Sequence, residues 1–251
     1  LKMIRNIKNY IIRNDYDLIL TIDSPDFNFN LVNKLRKSNY KKKIIHIVAP
    51  TVWAWRSYRA RKFANIFDEI FLLFNFEKKY FNFQNFNKTF IGHPIFHIKK
   101  RKKKNNYNYI AFLPGSRQNE VLKLIKYFKH IEEYINKNNL NFKIFIPTLP
   151  HLFSLIKDST KEWKTETFIS TEVNKFDDYY DDVYLSITCS GTASIEIAKR
   201  NIPQLVIYKL NYFTEFLFKP FIRVKYANII NIISNQMIIP EVTNSNLNER
   251  R

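Results

Sequence analysis

The sequence predicts an α/β protein built from two parallel-sheet domains, and three observations carry that expectation. Short apolar, β-prone runs alternate with segments of helical apolar spacing through both halves of the 251 residues. Two of the runs end in small-residue turns that lead directly into helical segments, Pro114-Gly115-Ser116 and Ser190-Gly191-Thr192. The chain has only 3 glycines, Gly92, Gly115 and Gly191, each in a candidate turn. In a composition so heavy in Lys, Asn, Ile, Phe and Tyr, glycines confined to turns point to backbone geometry that only Gly adopts easily.

Taken in order, residues 1–13 place Ile4, Ile7, Tyr10 and Ile11 on one helical face. Residues 16–22 are an apolar strand, expected to be buried, that exits at Asp23-Ser24-Pro25-Asp26-Phe27-Asn28. A carboxylate leaving a parallel strand enters the crevice at the strands' carboxyl ends, which makes Asp23 the candidate catalytic base. Pro25 stops the strand, and Asp26 or Asn28 is expected to cap a helix over 29–37. Residues 43–48 form the next strand, before Ala49-Pro50-Thr51-Val52-Trp53-Ala54-Trp55-Arg56, whose two Trp suit core packing or a cleft. A strand over 69–73, a helix over 76–81 and the loop Ile91-Gly92-His93-Pro94 complete this half. His93 there is a ligand contact or a turn cap.

Residues 98–108, mostly Lys, Arg and Asn, divide the chain into domains 1–97 and 109–251 as a solvated linker; a nucleic-acid or membrane patch is the other reading. Residues 109–113 then form a buried strand. In the turn that follows, Gly115 makes the bend, Ser116 caps the next helix, and Arg117 offers a forked cation at its N-terminus. Strands over 142–146, 167–170, 183–187 and 205–208 alternate with helices over 150–156 and 174–182. The turn Ser190-Gly191-Thr192 suits a phosphate on its backbone N–H groups. Glu196, one turn into the next helix, either accepts from two vicinal ribose hydroxyls or stabilises the helix N-terminus. Residues 213–222, aromatic and amphipathic with Lys219 and Arg223 at the edge, suit a membrane interface or a core, and 244–251 are polar.

The net charge of +19 and pI near 9.8 fit nucleic acid, an anionic membrane surface or a phosphorylated substrate. No helix-turn-helix, zinc or aromatic-platform motif accompanies the charge, so nucleic acid is not expected as a partner. One Cys, Cys189, excludes a disulfide framework. No apolar run reaches the roughly 18 residues of a spanning helix; the longest, 226–240, is interrupted by Asn and Ser.

Five motifs in fixed order, Ile22-Asp23-Ser24-Pro25-Asp26-Phe27-Asn28, Ala49 to Arg56, Ile91-Gly92-His93-Pro94, Leu113-Pro114-Gly115-Ser116-Arg117 with Glu120-Val121, and Ser190-Gly191-Thr192-Ala193 with Glu196, resemble the lipid-A-disaccharide synthase family. The resemblance covers essentially the whole chain. It implies a GT-B fold of two Rossmann-like domains and an inverting transfer from UDP-2,3-diacylglucosamine to 2,3-diacylglucosamine 1-phosphate. UDP is released, no metal or other cofactor is needed, and the enzyme works peripherally at the cytoplasmic face of the inner membrane. It further implies that Asp23 is the base, that Gly115, Ser116, Arg117, Ser190, Gly191 and Thr192 hold the diphosphate, and that Glu196 holds the ribose. Asn231, in Ala227-Asn228-Ile229-Ile230-Asn231, matches a position near the nucleotide more loosely, and Trp53, Arg56 and His93 belong to the cleft. The family's opening strand and Gly-rich loop are not seen before Leu1, nor its terminal helices after Arg251. The N-terminal domain is therefore expected to be incomplete, the chain being either a fragment or the product of a split or decaying gene that binds UDP weakly and turns nothing over. Another GT-B enzyme using UDP-N-acetylglucosamine is the alternative, against which the Val52-Trp53-Ala54-Trp55 stretch speaks.

Overall fold

The computed structural model describes residues 2–102, 104–209 and 224–243. The amphipathic segment expected over 213–222, with Lys219 and Arg223, and the polar end over 244–251 lie outside them. The described chain forms two compact units, one up to Pro94 together with Val224, the other from Ile95 onward.

The first unit alternates α1 (Lys2–Asn14), β1 (Leu18–Ile22), α2 (Pro25–Lys37), β2 (Lys43–Ile47), α3 (Arg59–Ala64), β3 (Glu69–Leu72) and β4 (Asn87–Phe90). Its four strands are all parallel in the order β1-β2-β3-β4. One core joins Ile44, Ile70 and Leu72 from the sheet to Ile11, Leu31, Val32, Leu35 and Phe63 from the helices. β1 is an edge strand rather than a buried one: Leu18, Leu20 and Ile22, on one face at period 2, are exposed. Tyr10, expected on the buried face of α1, is also exposed and meets Tyr16 at 6.2 Å. The helix expected over 76–81 is a 3-10 helix, Asn75–Phe81, with the buried carboxylate of Glu77 accepting from the Phe74 N–H at 3.0 Å. β4 has no counterpart in the sequence expectations.

The second unit holds β5 (Tyr109–Leu113), α4 (Gln118–Lys137), β6 (Lys143–Pro147), α5 (Phe153–Thr160), β7 (Thr167–Ser170), α6 (Phe176–Tyr180), β8 (Val183–Cys189), α7 (Thr192–Lys199), β9 (Gln204–Tyr208), α8 (Ile229–Ser234) and β10 (Glu241–Thr243). All its pairings are parallel, in the order β10-β9-β8-β5-β6-β7. Alternation along β5 shows why both faces are covered. Ile110 and Phe112 enter one core with Val121, Leu124 and Phe128 of α4, while Ala111 and Leu113 enter the other with Tyr180 and Ile197.

The basic stretch 98–108 is not a free linker. The Arg101 N–H donates to Arg200 O at 3.0 Å, the Lys102 N–H to Asp181 Oδ1 at 2.9 Å, and Lys104 Nζ to Asp182 Oδ1 at 3.2 Å. The Asp181-Asp182 pair ahead of β8 supplies partners that the composition of the stretch alone does not reveal.

Candidate active site

In the second unit the chain runs outward from β5 through β6 to β7, then returns to the other side of β5 for β8, β9 and β10. The reversal falls between β5 and β8, which pair in register from Ile110↔Leu185 to Leu113↔Thr188. At such a switch point the two following loops part to opposite faces and leave a crevice at the strands' carboxyl ends. The loops here are Pro114–Arg117 and Ser190–Gly191, so the sequence-expected turns meet at one place.

Both turns depend on glycine. Gly115 has φ +106°, and a Cβ built there would stand 2.7 Å from Glu120 Oε2 and 3.5 Å from Cys189 Sγ. Gly191 has φ +129° with open space around it, so only the backbone demands Gly. The helix after Gly115 starts one residue later than expected: Arg117, not Ser116, occupies the N-cap position, without a side-chain cap. Ser116 and Arg117 are exposed, and the Arg117 guanidinium donates to Glu120 Oε1 at 2.6 Å. The first N–H groups of α4 and α7 have no acceptors within their helices, which suits an anion at both turns. Burial pushes the Cys189 thiol up to about 11, and the nearby Glu120 charge adds to the shift.

Glu196 lies on α7, where its Oε1 accepts from Arg200 Nε at 3.2 Å and Nη2 at 3.0 Å. Arg200 is buried, pairs also with Asp177 at 2.6 Å, and its guanidinium lies 4.4 Å from the Tyr180 ring centre.

A buried polar network ties the second turn to the segment before α8. Ser190 Oγ donates to Ala227 O at 2.7 Å, Asn228 Nδ2 to Ser194 Oγ at 2.5 Å, and Ser194 Oγ to Gln204 Oε1 at 2.7 Å. Glu241 closes it by accepting from the N–H groups of Ala227 and Asn228. Asn231, the residue singled out from sequence, is buried elsewhere: its side chain donates to Ile239 O and accepts from the Ile238 and Ile239 N–H groups. Asn228 is the asparagine that adjoins the turn. Its sequence signal is the N-cap pattern, an Asn directly before the apolar helical run Ile229-Ile230, and its Oδ1 indeed accepts from the Ile230 N–H.

The first unit gathers its own group at the carboxyl ends of its strands. Asp23 and Ser24, after β1, have φ of 51° and 42°, and Val48, after β2, has φ of 75°. Left-handed backbone costs a non-Gly residue about 1–3 kcal/mol and clusters at functional sites. The Asp23 backbone is pinned by its N–H to Ile47 O at 2.9 Å and by Asn28 Nδ2 to its O at 2.6 Å, while the residue itself is exposed. Asn28 thus buttresses the turn instead of capping a helix. That helix begins at Pro25 with Ser24 at the N-cap, and Asp26, in its first turn, pairs with Arg59 at 2.6 Å.

Beneath Asp23 lies a histidine that the sequence reading passed over. His46 is fully buried against the stacked rings of Phe63 and Phe67, with Thr21 Oγ1 2.8 Å from its Nδ1. Burial lowers it to about 4, against a smaller upward pull from the Asp23 charge. A lone His inside an apolar strand carries no signal beyond that of a core residue. Trp53 and His93 join one aromatic group: Trp53 packs edge-on against Phe76 at 5.7 Å, Phe76 lies 5.9 Å from Phe74, and Phe74 lies 5.5 Å from His93. Arg56 instead lies over the Trp55 ring at 4.0 Å. Among the described residues no group of three or more His, Cys, Asp or Glu is placed to hold a metal, and no helix is long and apolar enough to cross a membrane.

A sequence profile described as lipid-A-disaccharide synthetase matches residues 1–251. A lipid-A-disaccharide synthase of Rhodospirillum centenum is 29% identical over 96% of this chain and 63% of its own length. One from Rickettsia conorii is 35% identical over 96% and 56%. The chain thus spans less than two thirds of these relatives. Among solved structures, an S. aureus MnaA–UDP complex aligns with a TM-score of 0.60 over 93% of this chain and 70% of that one, at 15% identity. An Acinetobacter baumannii MurG aligns at 0.56 over 99% and 66%, at 11% identity. At these identities the structures establish the fold class, that of GT-B proteins.

Proposed function

The chain belongs to the lipid-A-disaccharide synthetase family, and on that premise we propose that it serves the glycosyl transfer named for the family. The acceptor 6-hydroxyl of 2,3-diacylglucosamine 1-phosphate attacks the anomeric carbon of UDP-2,3-diacylglucosamine as the bond to UDP breaks. The hydroxyl proton passes to the Asp23 carboxylate, so that a β-1,6-linked disaccharide 1-phosphate and UDP result. The diphosphate is received at the β5 and β8 turns, where Arg117 and the N-termini of α4 and α7 face the charge that grows on the leaving group. Glu196 accepts from the ribose hydroxyls through Oε2, its Oε1 being engaged by Arg200.

One observation carries this reading: two glycine-dependent turns followed by helices flank the order reversal of the second sheet, a diphosphate site in both position and chemistry. The domain assignment follows as a proposal, with an acceptor-side first domain and a UDP-sugar-binding second domain. The positive surplus draws such an enzyme to an anionic membrane surface, at about 1 kcal/mol per basic residue near it, which favours a peripheral place on the cytoplasmic face of the inner membrane. Mass spectrometry of the full-length protein with both sugars tests the reaction. Disaccharide 1-phosphate and UDP formed in equal amounts support it; UDP release by donor hydrolysis alone, or no UDP, overturns it.

A further inference from the structure

A cavity of about 170 Å3 in the first unit is used by none of the groups assigned above to the base or the nucleotide. Its lining includes Asp26, Phe29, Arg56, Arg59, Lys62 and Phe63. Three cations there face one carboxylate, a formal surplus of two positive charges. Among the described residues only one of the three is matched by an anion. Arg59 donates to Asp26 at 2.6 Å, with the guanidinium sunk (13% exposed) and the carboxylate outward (78% exposed). The other two rest on aromatic faces, which steady a cation without neutralising it: Arg56 lies 4.0 Å from the Trp55 ring centre and Lys62 5.0 Å from that of Tyr58. Arg56 is also held at φ 51°, a strained backbone that fixes the base of its side chain at the cavity.

We propose that this cavity receives the phosphomonoester of a sugar 1-phosphate acceptor, with Arg59 as its anchor and Arg56 and Lys62 as flanking charges. The inference rests on the glycosyl-transfer reading above and deepens it. A phosphomonoester carries about −1.5 to −2 at neutral pH, which matches the surplus. The guanidinium fork fits it better than the single outward carboxylate that now occupies Arg59, so the phosphate takes the place of Asp26. Position agrees with chemistry. Asp26 is three residues from Asp23, at most about 11 Å along the chain. A hexose presents its 6-hydroxyl and its 1-phosphate on two sides of one ring, so a single sugar can reach both the base and the cavity.

The test compares the acceptor with its 1-dephospho analogue in full-length protein, for wild type, Arg59→Gln and Lys62→Gln. Lys62 is exposed, so its variant folds even if Arg59→Gln does not. The wild type should prefer the phosphorylated acceptor by about tenfold or more, through KM, the scale of one lost charged hydrogen bond. Each variant should erase most of that preference and leave UDP affinity and the rate with the analogue unchanged. A preference undiminished in both variants overturns the proposal. So does loss of binding to phosphatidylglycerol vesicles with the preference intact, because the anion is then a membrane headgroup. If neither acceptor is turned over, the transfer reading has failed and the cavity is judged by calorimetry with glucose 1-phosphate alone. Binding that Lys62→Gln weakens sustains the phosphate site, and no binding at millimolar ligand ends it.

Discussion

Arg117 Nη1 and Glu120 Oε1 meet at 2.6 Å across one turn of α4, while the other oxygen of Glu120 lies where a side chain on residue 115 would begin. The cation assigned to the diphosphate is therefore already held by a carboxylate of its own helix. That carboxylate also adds to the upward shift of Cys189.

Removing the charge should help the ligand. Glu120→Gln is expected to tighten UDP binding about two- to fivefold at low salt, with the gain fading as salt rises, since an exposed pair is worth little. The same variant should lower the Cys189 thiol while leaving it above its ordinary value, because burial is the larger cause. Calorimetry at two ionic strengths and thiol reactivity against pH read the two effects. Tenfold weaker UDP binding would mean that Glu120 positions Arg117 instead of competing for it.

The two turn glycines should respond differently. Gly191→Ala meets only backbone strain, about 1–3 kcal/mol. Gly115→Ala meets the same strain and a contact 2.7 Å from Glu120, so it should cost more in stability and in UDP affinity. Glu120→Ala in the Gly115→Ala background should return the excess but not the strain. Equal effects of the two single variants in thermal melts and UDP titrations would dismiss the close approach.

At the proposed ribose contact, Glu196→Ala should weaken UDP by about tenfold or more, with or without magnesium. The same change removes two bonds from the buried Arg200, so the melting temperature should fall as well. Glu196→Gln, which keeps an acceptor for Arg200, separates the effects: stability returns more fully than affinity if the carboxylate touches ligand. Full recovery of UDP affinity in Glu196→Gln, or dependence on magnesium, would count against the assignment.

Most strands of the second unit and both its switch-point turns were legible, because β5, β6 and β9 are largely apolar runs and each turn carries a glycine; β10, three half-buried residues at the sheet edge, was not. What escaped was set by contacts distant in sequence. β4 begins Asn87-Lys88 and is largely exposed at a sheet edge, so its pairing with β3 leaves no apolar pattern. The start of α2 was placed late because Asp26 and Asn28 are good capping residues. Their side chains are instead taken up by Arg59 and by the Asp23 carbonyl. Asn231 outweighed Asn228 on local similarity, whereas the contact that places Asn228 at the turn comes from Ser194, 34 residues away.

His46 predicts a pH dependence of the first unit. Its ordinary value of 6.5 falls to about 4 on folding, so below neutral pH the unfolded chain takes up a proton that the folded chain refuses. Stability should therefore drop as pH falls from about 7 towards 4, by up to about 3 kcal/mol from this group. In a Trp163→Phe background, fluorescence comes from Trp53 and Trp55 alone and follows this unit. Denaturant unfolding should show a shallower pH slope in His46→Gln than in the parent. Parallel slopes would place the titration elsewhere.

Asp23 and Asp26 sit on one turn with different work, and a pair of variants should separate them. Asp23 is exposed at the end of β1 on a strained backbone that Asn28 and Ile47 hold in place. Asp23→Asn keeps that backbone, since Asn accepts left-handed φ readily, and removes only the basic oxygen. In full-length protein it should lower kcat by about 10²–10⁴, the usual loss with a general base, and leave UDP affinity nearly intact, because the proposed nucleotide site lies in the other unit. Asp26 has no capping duty to lose; among the described residues its carboxylate holds Arg59. Asp26→Asn should therefore keep turnover, and by releasing Arg59 it should lower the KM for a phosphorylated acceptor. Steady-state kinetics with both substrates and a UDP titration of each variant decide the matter. A dead Asp26→Asn beside a mild Asp23→Asn would move the base three residues along the chain. Wild-type rates in both would take the chemistry away from the end of β1 altogether.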